Sequence, residues 1–128
     1  MSSEQKHHEE LVNGLYSQLK QIFDSSEQAM YLYLDDAHKV CNKKFASLLG
    51  YSSPQEFVGI ENILEANVEE KSQQILVSAY RNAMEKMVAS KIDITIKRNS
   101  GNTVDTSIIM VPVAYQGHLF ALHFVSER

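Results

Sequence analysis

The sequence predicts a single α+β domain in which five strands form an antiparallel sheet, and three observations support this fold class. A chain of 128 residues is most simply one domain. Two strand-like segments precede a central helical region, and three more strands follow it. Short turns of the hairpin type join the last three strands, so neighbouring strands are predicted to be antiparallel.

Composition and charge exclude several classes of protein. The chain is 44% hydrophobic and 22% charged, which is ordinary for a globular domain. Its net charge of −4 and the lack of a dense basic patch argue against a nucleic-acid partner. No apolar run is long enough to span a bilayer, no signal peptide precedes the fold, and one cysteine cannot form an internal disulfide. We therefore expect a cytoplasmic protein that binds neither nucleic acid nor membranes.

The N-terminal segment is predicted to be an amphipathic helix (residues 1–24) that precedes the body of the domain (residues 25–128). Its apolar residues Val12, Leu15, Leu19 and Ile22 are spaced 3, 4 and 3 residues apart, as in two heptads of a coiled coil. Two heptads leave two interpretations open. The helix packs on the sheet of its own chain, or it pairs with the same helix of a second copy.

Two strands and two short helices follow. Residues 28–35 are almost all apolar at both odd and even positions, which is typical of a strand buried on both faces. After a turn, residues 39–41 form a second strand. Asn42 is a favourable N-cap, and Gly50 supplies the left-handed residue that commonly ends a helix. Ser53–Glu56 matches a capping box with proline at the first helical position.

The second half of the chain is predicted to be one long helix and three strands. Asn67 is expected to cap the helix, which runs to about Val88 and buries Leu76 and Tyr80. Polar residues alternate with isoleucines over residues 92–97, so this strand is predicted to lie at an edge. The last two strands cover residues 104–115 and 119–125, with turns before each.

The segment from residue 42 to residue 56 resembles the helical entry of a PAS domain, the small sensor module of signalling proteins. Asn42, Phe45-Ala46, Leu49-Gly50-Tyr51 and Ser53-Pro54-Gln55-Glu56 stand at the spacing of that family. The resemblance covers about residues 20–128. It implies that the two N-terminal strands lie beside the last strand and that the helices pack on the concave face of the sheet. The N-terminal helix is then expected on the outer face.

The resemblance also raises the question of cofactors, because PAS relatives include haem and flavin binders. Haem-binding relatives usually offer a histidine from the long-helix region, and residues 60–90 contain none. Light-sensing relatives use a cysteine in an Asn-Cys-Arg helix motif, whereas Cys41 ends a strand. We therefore predict no cofactor, neither haem nor flavin. We also predict no metal site, because His7 and His8 have no further ligand near them in the sequence.

No catalytic arrangement is predicted. Glu69, Glu70 and Glu85 lie on a helix with no histidine or second acid placed to work with them. The chain has no Gly-rich phosphate loop and no Cys-x-x-Cys pair. An enzyme alternative would be a small cone-shaped isomerase-like domain, which needs a polar dyad inside its cavity. We predict that the protein is not an enzyme.

Strand parity, together with the resemblance, directs one set of side chains into a concave cavity. These ligand-pocket candidates are Leu32, Leu34, Phe45, Tyr80, Met84, Ile94, Ile96, Thr106, Ile108, Met110, Phe120 and Leu122. They either fill the core completely or leave room for a small apolar or weakly polar ligand.

The opposite face of the sheet is predicted to be an interface, because a large apolar patch on a monomer normally marks one. The dimer-interface candidates are Val12, Leu15, Leu19, Ile22, Tyr31, Tyr33, Ile109, Val111, Val113, Leu119 and His123. We expect a symmetric homodimer whose two-fold axis passes near Val111, with His123 as a partly buried interface residue.

The predicted function is therefore that of a homodimeric sensory and protein-interaction module in signal transduction. The alternative is a pure dimerisation or scaffold module with a filled core and no ligand. Output would pass to a signalling partner or to an output domain outside this chain. Phe124 stands where PAS domains that drive an output usually have an aspartate, so their usual salt-bridge coupling is not expected here.

Overall fold

A computed structural model describes residues 3–128 of the protein, and these residues form one sheet with helices on both faces. The helices are α1 (Ser3–Ser25), α2 (Lys43–Leu48), α3 (Pro54–Val58), α4 (Ile63–Asn67) and α5 (Glu70–Lys86). The strands are β1 (Ala29–Asp35), β2 (His38–Cys41), β3 (Ser90–Lys97), β4 (Thr103–Tyr115) and β5 (His118–Glu127). None of the helices within residues 3–128 is long and apolar enough to cross a membrane.

The five strands are antiparallel and lie in the order β2-β1-β5-β4-β3. This confirms the predicted fold class, and β3 lies at an edge as its polar side chains predicted. Strand β3 begins at the residue that pairs with Met110, so it does not extend as far as Pro112. Among the described residues, Pro112 therefore has a strand neighbour only in β5, and the missing N–H of the proline is tolerated there. The two faces of the sheet bury separate hydrophobic clusters.

We call the face that packs against α2–α5 the inner face and the face that packs against α1 the outer face. The inner-face cluster includes Tyr31, Phe45, Leu76, Ile94, Ile108 and Met110. The outer-face cluster consists of Leu11, Val12, Leu15, Phe23, Met30, Leu32 and Phe120, with partly buried neighbours from β4 and β5. The N-terminal helix therefore packs on the sheet of its own chain, which was one of the two interpretations left open.

The end of α2 forms where the sequence predicted it. The side chain of Asn42 accepts the amide of Phe45, and it also accepts the amide of Met30 and donates to the carbonyl of Gln28. Gly50 adopts a φ of +83°. The amides of Gly50 and Tyr51 donate to the carbonyls of Ser47 and Ala46, which is the bonding pattern of a Schellman motif.

Two predicted caps are wrong. Ser53 is the N-cap of α3, but its side chain makes no capping bond, and the carboxylate of Glu56 instead accepts the hydroxyl of Ser52. The capping box therefore does not form. Asn67 ends α4 and donates to the phenol of Tyr51 and the carbonyl of Lys97, so α5 begins after Glu69 without a side-chain cap.

The predicted orientation of β1 and β5 is also wrong. Leu32, Leu34, Phe120 and Leu122 pack against α1 on the outer face. Tyr31, Tyr33 and His123 belong to the inner face. Leu119 shares that face because it lies four residues before His123 in the same strand. Both faces of these strands are apolar and buried, so alternation alone does not say which set faces which helix.

Candidate functional site

A cavity of about 90 Å³ lies between the inner face of the sheet and the helices α4 and α5. Strands β1, β4 and β5 form its floor, and the turn after β1 forms one side. Its lining residues are Tyr31, Tyr33, Asp36, Ile63, Leu64, Leu76, Val77, Tyr80, Met110 and His123. The walls are apolar, and an imidazole, three phenols and a carboxylate stand among them.

His123 is the least expected member of this lining. Its side chain is buried, with 2% of the residue exposed, and its ring stacks on Tyr31 with the centroids 3.7 Å apart. Its Nδ1 atom has no hydrogen-bond partner among the described residues. Burial lowers the pKa of His123 to about 3, and the nearby backbone groups of Tyr31 and Ala121 oppose this shift more weakly. The ring is therefore neutral at physiological pH.

The tyrosines supply protonated phenols beside this neutral ring. Burial raises the pKa of Tyr80, and it raises the pKa of Tyr31 and Tyr33 further, with help from nearby acidic or phenolic groups. Tyr80 donates a long bond of 3.4 Å to the carbonyl of Leu34, and its ring meets that of Tyr33 edge to face. The phenols remain available as hydrogen-bond donors because they do not ionise near neutral pH.

Lys39 holds the turn beside the cavity in place. Its residue is 1% exposed, yet its ammonium group donates to the carbonyls of Ile60 at 2.6 Å, Val58 at 3.3 Å and Asp36. The same group lies 5.4 Å from the ring centroid of Phe57. Burial lowers the pKa of Lys39, and the carboxylates of Asp36 and Asp35 oppose that effect. These bonds join the β1–β2 turn to the loop after α3.

Some of the predicted pocket residues do surround space on the inner face. Tyr80 and Met110 line the cavity. Phe45, Ile94, Ile96 and Ile108 line a second void of about 20 Å³ nearer to α2, and Met84 packs against the same cluster. Thr106 is fully buried, and its hydroxyl donates to the carbonyl of Ile94 at 2.9 Å, so it serves the sheet. The other four candidates lie on the outer face.

Sequence reasoning missed every polar lining residue except Tyr80, as well as four apolar ones on α4 and α5. Tyr31, Tyr33 and His123 were assigned to the outer face, and Asp36 was placed in a turn without a role. The sequence feature that could have identified them is the pair of tyrosines at alternate positions of β1, Tyr31 and Tyr33, opposite His123 in β5. Cross-strand pairing of Tyr31 with His123 places these side chains on one face.

Only part of the predicted dimer surface is exposed on the outer face. Val12 and Leu15 are buried against the sheet of the same chain, and Leu19 packs beside them. Ile22 and Ile109 remain 53% and 43% exposed, and Val111 and Val113, on the same strand as Ile109, are half-buried. The four candidates on the inner face, which are Tyr31, Tyr33, Leu119 and His123, do not lie on this surface.

Two of three comparisons with known proteins agree on the fold. The sequence profile of the PAS domain family matches residues 27–125. A PAS domain from a two-component sensor histidine kinase superposes with a TM-score of 0.68, at 12% identity, over 91% of this chain and 98% of that one. A search of curated proteins finds no match.

Two further solved structures are similar. The PAS domain of an HTR-like protein from Haloarcula marismortui gives a TM-score of 0.65 at 19% identity, over 96% of this chain and 99% of that chain. The LOV protein of Rhodobacter sphaeroides gives 0.70 at 18% identity, over 99% and 68%. At these identities the likeness shows the fold alone.

The likeness to light-oxygen-voltage domains, one of them studied with a flavin analogue, makes flavin the cofactor to test against the cavity. The cavity, at about 90 Å³, is smaller than an engineered cavity of about 150 Å³ that accommodates benzene. Cys41 is buried at the end of β2, and burial raises the pKa of its thiol to about 12.

Proposed function

The chain belongs to the PAS domain family, and on this premise we propose that it is a sensory and interaction module that binds a small neutral ligand in the inner-face cavity. PAS domains are generally sensory modules and not enzymes. The observation that carries the proposal is the unpaired Nδ1 of His123, which is buried beside an open space. A buried polar atom without a partner costs free energy, so a group that pairs with it gains correspondingly.

The cavity defines the chemistry of the ligand. Its size limits the ligand to no more than about one small ring, by comparison with the benzene cavity. The imidazole of His123 is neutral and the phenols are protonated, and the half-buried Asp36 adds a carboxylate to the walls. A small uncharged molecule with one or two polar atoms satisfies these groups. A simple hydrocarbon would leave His123 unpaired.

The ligand test uses two matched phenylalanine substitutions on α5. Val77 lines the cavity, whereas Ile75 is 45% exposed and does not. We expect Val77→Phe to fill the cavity and Ile75→Phe to leave it open. The probes are phenol, imidazole and pyridine, together with the small-molecule fraction of a cell extract. Binding is measured as a rise in melting temperature and as amide shifts in NMR spectra.

A ligand that binds only the folded state raises its stability. We expect at least one probe to stabilise the wild type and Ile75→Phe but not Val77→Phe. Stabilisation of all three proteins would place the binding elsewhere. No stabilisation by any probe or by the extract would overturn the sensor proposal and favour the scaffold alternative.

We further propose that the module is a symmetric homodimer, formed by the part of the outer face that α1 leaves uncovered. Ile22 at the end of α1 and Ile109 on β4 are exposed apolar side chains, and Val111 lies two residues after Ile109 along β4. The neighbouring β3 carries Lys91 and Asp93 on the same face, opposite Ile109 and Ser107. A two-fold axis near Val111 places this mixed surface against itself.

The dimer test uses two aspartate substitutions on the same strand. Val111→Asp places a charge in the proposed interface, and Ala114→Asp adds the same charge at an exposed position near the end of β4. We expect light scattering to show a dimer for the wild type and Ala114→Asp, and a folded monomer for Val111→Asp. A wild-type monomer at high micromolar concentration, or a dimeric Val111→Asp, contradicts the proposal. A signalling partner or output domain would then receive the signal from a monomer.

A further inference from the structure

A second group of polar side chains lies where α1 meets the turn between β1 and β2. His8 on α1 places its Nδ1 3.3 Å from Oδ2 of Asp35, and His38 at the start of β2 places its Nδ1 2.7 Å from Oδ1 of the same carboxylate. One carboxylate thus joins two imidazoles from elements that are far apart in the sequence. The ligand atoms of all three residues lie within 4.8 Å of one another.

Two more histidines surround this group. The ring centroid of His118, in the hairpin from β4 to β5, lies 5.5 Å from that of His8 and 5.3 Å from that of His7. The rings of His8 and His38 are 5.5 Å apart. Four of the five histidines of the chain therefore meet at one end of the sheet, although they come from three separate segments.

Imidazole nitrogens and a carboxylate are ligands that divalent transition metals prefer, whereas Mg²⁺ and Ca²⁺ prefer sites made of oxygen atoms. Zinc binds such ligands at about 2.0–2.2 Å in tetrahedral geometry. An ion between the three atoms would need only a small opening of the two histidine contacts to Asp35. We propose that His8, Asp35 and His38 form a binding site for a divalent transition-metal ion, with the fourth position filled by His118 or water.

The surroundings of the cluster suit such an ion. The side chain of Asp35 is 41% exposed and that of His8 is 21% exposed, so an ion from solvent reaches the ligands without unfolding. The carboxylate of Glu4 lies 4.0 Å from Nε2 of His8. Metal-bound histidines commonly donate their other ring N–H to a carboxylate, which fixes the ring and strengthens it as a ligand.

Bound metal would link α1 to the β1–β2 hairpin. Asp35 belongs to the same turn as Asp36, which lines the inner-face cavity. The ion would therefore hold the N-terminal half of α1 on the sheet and restrain one wall of the cavity. An ion that binds only the folded state also stabilises it in proportion to the logarithm of its concentration.

The test uses full-length protein without a polyhistidine tag, and Zn²⁺ is the probe. Titration calorimetry is expected to show one Zn²⁺ per chain, and a thermal melt is expected to shift upward with Zn²⁺. His8→Gln and His38→Gln should each weaken binding at least about tenfold. His7→Gln is the matched control, since it removes the neighbouring histidine and should change the affinity less than about twofold. Co²⁺ should give the visible absorption of a tetrahedral complex.

Melting temperatures in the presence of a chelator show whether each variant is folded without metal, and Asp35→Asn gives a third ligand variant if one histidine variant unfolds. The Val77→Phe protein should bind Zn²⁺ like the wild type, so failure of the cavity ligand and failure of the metal site are distinguishable. Absence of Zn²⁺ binding, equal loss in His7→Gln and His8→Gln, or equal binding of Mg²⁺ would overturn the proposal.

Discussion

The two faces of the sheet differ in what they bury. On the outer face, α1 covers a cluster of purely apolar side chains, and Leu32 and Phe120 are completely buried there. On the inner face, an imidazole and three phenols border a cavity. The close fit of the outer face extends to Gly14, where an added Cβ would lie 2.5 Å from the hydroxyl of Tyr115.

This difference shows how a small domain can separate stability from recognition. A close-packed apolar interface gains from both hydrophobic burial and dispersion contacts. The inner face gives up part of this gain, because cavity walls lack contacts on one side and His123 buries an unpaired nitrogen. We expect substitutions on the outer face to change the free energy of unfolding most, and those at the cavity to change it least.

The largest effect is expected from a matched pair of leucine truncations. Leu32→Ala removes a fully buried side chain from the outer face and should cost about 3–5 kcal/mol. Leu76→Ala removes the same atoms from the wall of the cavity and should cost about 2–3 kcal/mol, because that side chain has fewer contacts to lose. Urea denaturation measures both. A larger cost for Leu76→Ala would contradict the contrast between the faces.

A position outside both faces shows the cost of backbone strain alone. Gly50 has a φ of +83°, and an added Cβ would meet its nearest neighbour, the amide of Asn99, at an ordinary 3.6 Å. Gly50→Val should therefore cost about 1–2 kcal/mol through its backbone conformation. Gly50→Asn is the control and should cost less, since asparagine tolerates the left-handed region. Equal costs for the two would mean that packing, not φ, determines the effect.

Local sequence signals predicted this part of the molecule well. The bond from the amide of Phe45 to Asn42 and the bonds around Gly50 lie within a few residues, so these two roles follow from the sequence alone. The bonds that Asn42 makes to Met30 and Gln28 reach a distant segment and do not follow from it. Strands β3 and β4 were also oriented correctly, because Asp93 and Lys97 mark the wet face of β3. Strands that are wet on one face define their own orientation.

The rest depended on contacts between distant segments. Strands β1 and β5 are apolar on both faces, so only the packing of α1 decides that Leu32 faces outward and Tyr31 inward. The same reasoning applies to the histidine cluster. His8, His38 and His118 are far apart in the sequence, and nothing near His8 indicates that Asp35 will reach it. The capping box was also predicted wrongly, because the carboxylate of Glu56 accepts a hydrogen bond from Ser52 and not from Ser53.

A smaller effect is expected from pH, and it tests the buried state of His123. Its pKa is about 3 in the folded protein because burial disfavours the charged ring, against 6.5 as the ordinary value. Above about pH 6.5 both states are neutral and the histidine adds no pH dependence. As the pH falls below about 6.5, His123 binds a proton in the unfolded chain but stays neutral in the folded protein. Stability is therefore lost, by about 1.4 kcal/mol between about pH 7.5 and 5.5.

His123→Phe provides the comparison, because it keeps an aromatic ring against Tyr31 and removes the titrating group. The other histidines and the carboxylates contribute equally to both proteins, so the difference between their stability curves isolates His123. We expect the loss of stability between these two pH values to be smaller in the variant by about 1.4 kcal/mol. Parallel curves would show that this histidine is accessible to protons in the folded state.

The smallest effect on stability is expected at Tyr80, where the effect on binding should be large. The hydroxyl of Tyr80 makes one long bond of 3.4 Å to the carbonyl of Leu34, so Tyr80→Phe should change the free energy of unfolding by less than about 0.5 kcal/mol. Tyr80 also lines the cavity, as His123 does, and the substitution removes a hydrogen-bond donor from the lining residues. We expect any probe that stabilises the wild type to bind Tyr80→Phe about tenfold more weakly, because a hydrogen bond to a buried ligand contributes about 1.4 kcal/mol. Thermal melts with and without the probe measure both quantities on one sample. A variant that loses stability but binds the probe normally would show that Tyr80 supports the fold, and that the inner face is no more specialised for binding than the outer one.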